Sequence, residues 1–286
     1  LNRLVIDIGG TNTRVCLVDE TPAVVFKERI NYSDDIGTFQ ALLKKSCRNI
    51  LSKEETADMV GLSVAGGYLL KNKRIWIPNL FGTELVCPFD LLDLDENHLF
   101  VTNDRVSGAI GEMEFGKAKG VTDFLYISIG TGVGMGIVSN GTVIEGSNGL
   151  AGSVGWLRFD EERIEYLVGG VGITLKYEEL TGERLPAYEI FTLAEQGAPK
   201  AAEVVNRAGR YLGKLISCFL NSTDPERIVL SGSIGRRWRS LKNEALRSIE
   251  SHKSPMVPIP QILLSNLGED AQILGTTILM QRKQTT

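Results

Sequence analysis

The sequence is short of the residues that build the commonest metal and redox sites. It holds two histidines, His98 and His252, and four cysteines, Cys16, Cys47, Cys87 and Cys218, with no C-x-x-C pair among them. The closely spaced ligand pairs of a zinc site are therefore missing. A basic excess is missing too. There are 31 Lys and Arg against 35 Asp and Glu, a net charge of -4, which leaves no electrostatic footprint for nucleic acid. No apolar run reaches the roughly 18 residues of a membrane helix, and the opening residues show no charged-then-apolar leader pattern. The expectation is a cytoplasmic protein with neither nucleic-acid nor membrane partners. What is present is an ordinary globular composition, 43% hydrophobic and 23% charged over 286 residues. That length accommodates two domains of about 100–150 residues each.

Strand-like runs recur at 24–30, 58–64, 99–102, 123–129, 136–139 and 227–230, with helical stretches at 39–51, 106–115, 193–195 with 200–221, and 238–251. In the stretch 200–222, Val204, Val205, Ala208, Leu212, Leu215, Ile216 and Phe219 fall on one helical stripe. Alternating strands and helices predict an α/β protein. The opening run, residues 4–19, reads as a β-hairpin: two apolar strands around Gly9-Gly10-Thr11. Residues 124–141 repeat the design around Gly130-Thr131-Gly132-Val133-Gly134, which predicts a duplicated core with a cleft between the halves.

Asp7 stands out because it interrupts an apolar strand. An unpaired carboxylate there costs several kcal/mol, roughly, or takes up a proton, so it needs a partner. None is obvious nearby in sequence, and a bound cation is one answer. The two glycine turns suit phosphate: glycine lets backbone N–H groups converge on an anion, and threonine adds a hydroxyl donor. The second does not fit the dinucleotide fingerprint, since it leads into a strand rather than a helix. A near-match to a P-loop at Gly111–Ala118 is rejected: Ala118 lacks the hydroxyl, Glu112 and Glu114 repel phosphate, and a helix precedes it. Asn103-Asp104 follow the strand at 99–102 just before a helix. Asp104 there is either a helix N-cap or a carboxylate aimed into a ligand cleft at the strand edge. A fourth element, residues 227–238, is strand then Gly232-Ser233-Ile234-Gly235 and is suited to border adenine and ribose.

In their order these elements resemble the ROK family (repressors, open reading frames, kinases) of the sugar kinase/Hsp70/actin superfamily, over essentially the whole chain. Asp7, Gly9, Gly10, Thr11, Asn12 and Thr13 match its first phosphate motif; Gly130, Thr131, Gly132 and Gly134 its second; Gly232, Ser233 and Gly235 its adenosine motif. Asn103-Asp104 match the start of its Asn-Asp-Ala-Asn signature. Trp76–Leu80, with Asn79, resembles its sugar-facing Pro-Asn-Leu, and residues 267–279 look like its closing helix. The resemblance implies a duplicated actin-like (ribonuclease H-like) ATPase fold. A small α/β domain at 1–104, joined by a C-terminal helix at about 270–286, would face a larger α/β domain at 105–269. It implies ATP and Mg²⁺ as cofactors, the cation facing Asp7 through water, and Asp104 as general base toward a hexose or N-acylhexosamine. It also implies a homodimer or higher homo-oligomer.

Departures accompany the matches. The family's Gly-Glu-x-Gly-His, whose Glu and His contact sugar and whose His also holds zinc, reads here Gly152-Ser153-Val154-Gly155-Trp156, and the zinc cysteines are gone. The expectation is a zinc-free branch in which Glu165 matches the later sugar-binding glutamate. Trp156 offers a flat face for stacking on a sugar ring. The signature continues as Arg105-Val106 instead of Ala-Asn. Regulators of the family carry a helix-turn-helix domain before the first hairpin, which begins here at Leu4, so a kinase is expected before a regulator or a non-catalytic sensor.

Overall fold

The computed structural model describes residues 2–31, 35–52 and 59–284. The chain divides into two compact units: Leu1–Lys119 with Val143–Ala151 and Glu269–Thr286, and Gly120–Thr142 with Gly152–Gly268.

In the first unit, β1 (Arg3–Ile8) and β2 (Asn12–Val18) form the expected antiparallel hairpin, with Ile8 opposite Thr13 and Asp7 opposite Arg14. β3 (Val24–Asn31) continues it on the outer side. After α1 (Ile36–Leu51), β4 (Val60–Val64) pairs in parallel with β1. Of the strand expected over 58–64, residue 58 lies outside the described residues. Next come the short hairpin β5 (Gly67–Leu69) and β6 (Arg74–Trp76), then α2 (Pro78–Phe81) and α3 (Pro88–Leu92). β7 (Leu99–Asn103) pairs in parallel with β4 and passes directly into α4 (Asp104–Phe115). The sheet order is β3-β2-β1-β4-β7. β4 is buried on both faces, as a central parallel strand must be, which is why its sequence does not alternate. α1 covers the sheet with Phe39, Leu43, Cys47 and Ile50 on one stripe, and its first turn is capped by Asp35, which accepts from the Thr38 N–H.

The second unit repeats the plan. β8 (Phe124–Ile129) and β9 (Val133–Ser139) form its hairpin, with β10 (Thr142–Val143) beside it. A small hairpin, β11 (Arg158–Phe159) and β12 (Glu162–Arg163), leads into α5 (Ile164–Val168), α6 (Gly170–Thr181), α7 (Ala187–Glu195) and the long α8 (Pro199–Thr223). β13 (Arg227–Ser231) pairs in parallel with β8; α9 (Gly232–Gly235) and α10 (Trp238–His252) follow; β14 (Gln261–Leu264) pairs in parallel with β13. The order β10-β9-β8-β13-β14 matches the first sheet, hairpin on one side and parallel strands on the other. The duplication read from the two glycine turns is therefore a duplication of topology. The last helix, α11 (Asp270–Gln284), belongs to the first unit, against α4.

In each unit helices come into near backbone contact. A Cβ on Gly275 of α11 would lie 1.8 Å from the Ser107 carbonyl oxygen of α4, and one on Gly213 of α8 would lie 2.4 Å from the Ala245 carbonyl oxygen of α10. Among the described residues no helix is long and apolar enough to cross a membrane.

Candidate active site

Asp7, Ser63 and the Asn103-Asp104 pair come from the ends of the three neighbouring parallel strands β1, β4 and β7, the edge at which α/β sheets usually bind ligands. Asp7 is 2% exposed and is not short of a partner. Arg14, directly opposite across the hairpin, ion-pairs with its Oδ2, and the Ser63 hydroxyl donates to its Oδ1 at 2.7 Å. The step from an unpartnered carboxylate to a cation is therefore corrected: the cross-strand arginine supplies the opposite charge. Counting outward from the glycine turn pairs residue 7 with residue 14, so the register held this signal. Arg14 also donates to the Glu269 carbonyl just ahead of α11.

Asp104 is the first helical residue of α4, and Asn103 occupies the N-cap position without a side-chain capping bond. Asn103 is buried, and its amide faces away from any cap, accepting from the Tyr68 N–H and donating to the Gly149 carbonyl at 2.8 Å. Asp104 is half-buried. Burial pushes its carboxyl up to about 6, reinforced by the negative charge of Asp7 and opposed by Arg105, the Arg105 N–H and Arg14. Ser107, one turn along α4, lies 3.2 Å from the Ser63 hydroxyl and so joins the helix to the same polar line. Arg14, Ser63, Tyr68 and Ser107 were not singled out from the sequence. Only the first was legible there, through the hairpin register.

The first glycine turn closes with the Gly9 N–H donating to the Asn12 carbonyl at 3.0 Å. Thr11 is exposed and Gly9, Gly10 and Asn12 are half-buried, whereas Thr13 is fully buried opposite Ile8 and Ile30, its hydroxyl bonded to nothing. Thr13 thus offers no accessible hydroxyl to a phosphate. Asn79 is exposed on α2.

In the second unit the turn at Gly130-Thr131-Gly132-Val133-Gly134 is folded back by the Gly130 N–H to the Gly132 carbonyl, 3.0 Å, and held from below by the Gly170 N–H to the Gly130 carbonyl, 2.8 Å. Gly232, at φ 83°, sits against Ile129, and Ser233 lies near Gly130, so the second and fourth sequence motifs do meet here. Glu165 packs under the same turn. A Cβ on Gly132 would lie 2.1 Å from its Oε2, and its carboxylate accepts from the Val133 N–H. Burial raises its pKa, with the Val133 N–H and Arg163 opposing. Ser153 precedes the helical turn Val154–Trp156 and is half-buried. Trp156 is 46% exposed, and the Arg163 guanidinium lies 3.9 Å over its ring, covering one of the two faces expected to be free for stacking. The hairpin that stands where a zinc loop was expected to be lost is tied to α8: Asp160 accepts from the Tyr211 hydroxyl at 2.7 Å and from Lys214 at 3.1 Å, and Glu162 pairs with Arg207.

The Asp7 carboxylate has the chemistry to meet Mg²⁺. Each Asp7 oxygen holds one donor and keeps a lone pair, enough to meet a hydrated cation through water. Mg²⁺ held by phosphates needs only one or two carboxylates, and among the described residues no three His, Cys, Asp or Glu side chains gather as a metal site. The P-loop near-match is instead the end of α4, where buried Glu112 accepts from the Lys117 N–H.

Comparison with known proteins gives the family and the fold. The ROK family profile matches residues 3–283. A glucokinase of Halalkalibacterium halodurans is 24% identical over 98% of this chain and 94% of its own. An N-acetylmannosamine kinase of Escherichia coli O9:H4 is 32% identical over 98% of this chain and 99% of its own. A xylose repressor of Bacillus subtilis is 25% identical over 77% of this chain and 60% of its own. Among solved structures, a ROK family glucokinase from Streptomyces griseus in complex with glucose and AMPPNP has the same fold, with a TM-score of 0.82 at 21% identity over 98% of this chain and 99% of that one.

Proposed function

The chain belongs to the ROK family, and from that premise we propose that it is an ATP-dependent sugar kinase, transferring the γ-phosphate to a hydroxyl of a hexose or N-acylhexosamine. The observation that carries the reading is Asp104. It opens a helix at the end of a parallel strand, half-buried, with a carboxyl pushed up to about 6. Such a group is ionised at neutral pH and still basic enough to take a proton in the transition state.

In this mechanism Asp104 accepts the proton of the sugar hydroxyl as that oxygen attacks the γ-phosphorus in line. In the first unit the backbone N–H groups of Gly10, Thr11 and Asn12 would hold phosphate oxygens; in the second, those of Thr131, Gly132 and Gly134 would do so, with Gly232, Ser233 and Gly235 bordering the adenosine. Asp7, oriented by Arg14 and Ser63, would hold Mg²⁺. When bound, the cation neutralises phosphate charge, as phosphoryl transfer generally requires. The candidate sugar contacts are Asn79 in the first unit and Ser153, Trp156 and Glu165 in the second. Asn103 serves the same side indirectly, by fixing Tyr68 and Gly149.

The test is ADP formation by the purified protein with ATP and Mg²⁺ against glucose, mannose and their N-acetylated amines. Turnover with at least one is expected, and none with any would overturn the kinase reading. For the accepted sugar, Glu165→Gln should raise KM about 10- to 100-fold, because a charged acceptor on sugar hydroxyls is lost. An unchanged KM would remove Glu165 from the pocket. The repressor relative supports one second reading, a sugar-responsive regulator. Calorimetric sugar binding with no ADP formation is the result that would select it.

A further inference from the structure

Asp104 is followed by a side chain that none of the phosphate or sugar motifs explains. Arg105 is 3% exposed, yet its guanidinium makes its hydrogen bonds to main-chain carbonyls: Nε to Ala151 at 2.6 Å, Nη1 to Gly66 at 2.6 Å and Nη2 to Gly149 at 2.9 Å. The Gly149 carbonyl is shared with the Asn103 amide. Two of these carbonyls belong to residues with left-handed backbone, Gly66 at φ 102° and Gly149 at φ 76°. A Cβ on Gly66 would lie 2.2 Å from the Trp76 carbonyl oxygen, and one on Gly149 2.4 Å from that of Tyr68, so only glycine serves at either place. The geometry is thus written into three separate stretches of sequence at once.

Stability alone is a poor reason for this arrangement. A buried cation loses hydration, and burial does lower the pKa of Arg105, with Asp104 and Glu145 opposing as the nearby negative charges. An apolar side chain of similar volume is usually no less stabilising. What a guanidinium adds is a rigid planar fork that fixes several acceptors relative to one another. Here the acceptors lie on two loops beside Asp104. One is the Gly66 turn, which packs on Pro78 next to Asn79; the other is the segment 145–151, closed by the Ala151 N–H to the Glu145 carbonyl at 3.0 Å and joined to Leu70 through the Asn148 carbonyl.

We propose that Arg105 is a positioning residue for the sugar acceptor: its three-carbonyl fork holds the Gly66 turn and the 145–151 segment at fixed distance from Asp104, so that the acceptor hydroxyl meets the carboxylate. The proposal rests on the kinase reading and deepens it. Arg105→Lys keeps the charge but cannot span three carbonyls. In that variant the KM for the accepted sugar should rise about tenfold or more while the KM for ATP stays within about twofold. Arg105→Met should in addition lose amide-exchange protection at 66–70 and 145–151, with β8 and β13 unchanged. Equal rises in both KM values, or none, in Arg105→Lys would overturn the acceptor role, and so would unchanged protection in Arg105→Met. If Arg105→Met does not fold, Arg105→Lys decides alone. Absence of turnover by the wild type with every sugar would overturn the kinase reading and the acceptor role together. The exchange experiment would then still report whether Arg105 fixes the two loops.

Discussion

A carboxyl pushed up to about 6 has to lose its own proton before it accepts one from a sugar hydroxyl. The sugar kcat/KM should therefore be flat above about pH 7 and fall tenfold per unit below about 6, a limb that a pH–rate profile reads directly. Asp104→Asn should lower turnover at least about a hundredfold while leaving ATP-analogue binding intact; near-normal turnover would show the base to be elsewhere. Stability should move the other way. The folded pKa lies above the unfolded value, so the native state gains protons on acidification and the ionised carboxylate works against folding at high pH. Asp104→Asn should thus be more stable than wild type by about 3 kcal/mol at pH 8, with the advantage gone below about pH 4, as urea midpoints at the two pH values would show. The buried Asp7–Arg14 pair makes a separate expectation. Arg14→Met should cost about 3–5 kcal/mol by leaving Asp7 uncompensated, and Asp7→Leu in the same chain should recover much of it. A single variant as stable as wild type would show the pair to be idle. At this scale the sequence pointed to candidate residues but not to how they are satisfied. Asp7 and Asp104 were legible from their place at strand ends. Arg105 was visible only as a departure, since no local pattern tells that a buried arginine will find carbonyls 39 and 46 residues away.

Elements differed in legibility for physical reasons. The stripe of α8 reads as a long helix because it buries one face over many turns, and Val204, Ala208, Leu212, Leu215 and Ile216 are indeed buried on it. The two glycine hairpins were legible because turn chemistry and apolar flanks agree. The β11–β12 hairpin was not assigned, being short and held by distant partners, since Asp160 depends on Tyr211 and Lys214 on α8. Helices α5 and α6 were not assigned either; α6 has only Gly172, Ile173 and Tyr177 buried and so shows no long apolar stripe. The tight seam between α4 and α11 gives a prediction at this scale. Gly275→Ala puts a methyl where the Ser107 carbonyl already sits, so the helices must separate. A loss of roughly 1–3 kcal/mol in urea unfolding is expected, as for overpacked cores, and an unchanged midpoint would show that the two helices do not meet at this glycine.

Across the whole molecule the duplication was the most legible feature, since two copies of strand, glycine turn and strand announce two sheets of one plan. The division of the chain was harder to see, because the first unit is assembled from three separate stretches, the last of them Glu269–Thr286. That division sets an order in time. A ribosome delivers β1, β4 and β7 early, yet α11, which packs on α4, β1 and β4, emerges only after β14. Residues 120–268, apart from the 143–151 excursion, are complete before it. During synthesis the second unit has all its strands while the first still exposes the face that α11 covers, and it is in that interval that a chaperone or a protease would find this protein.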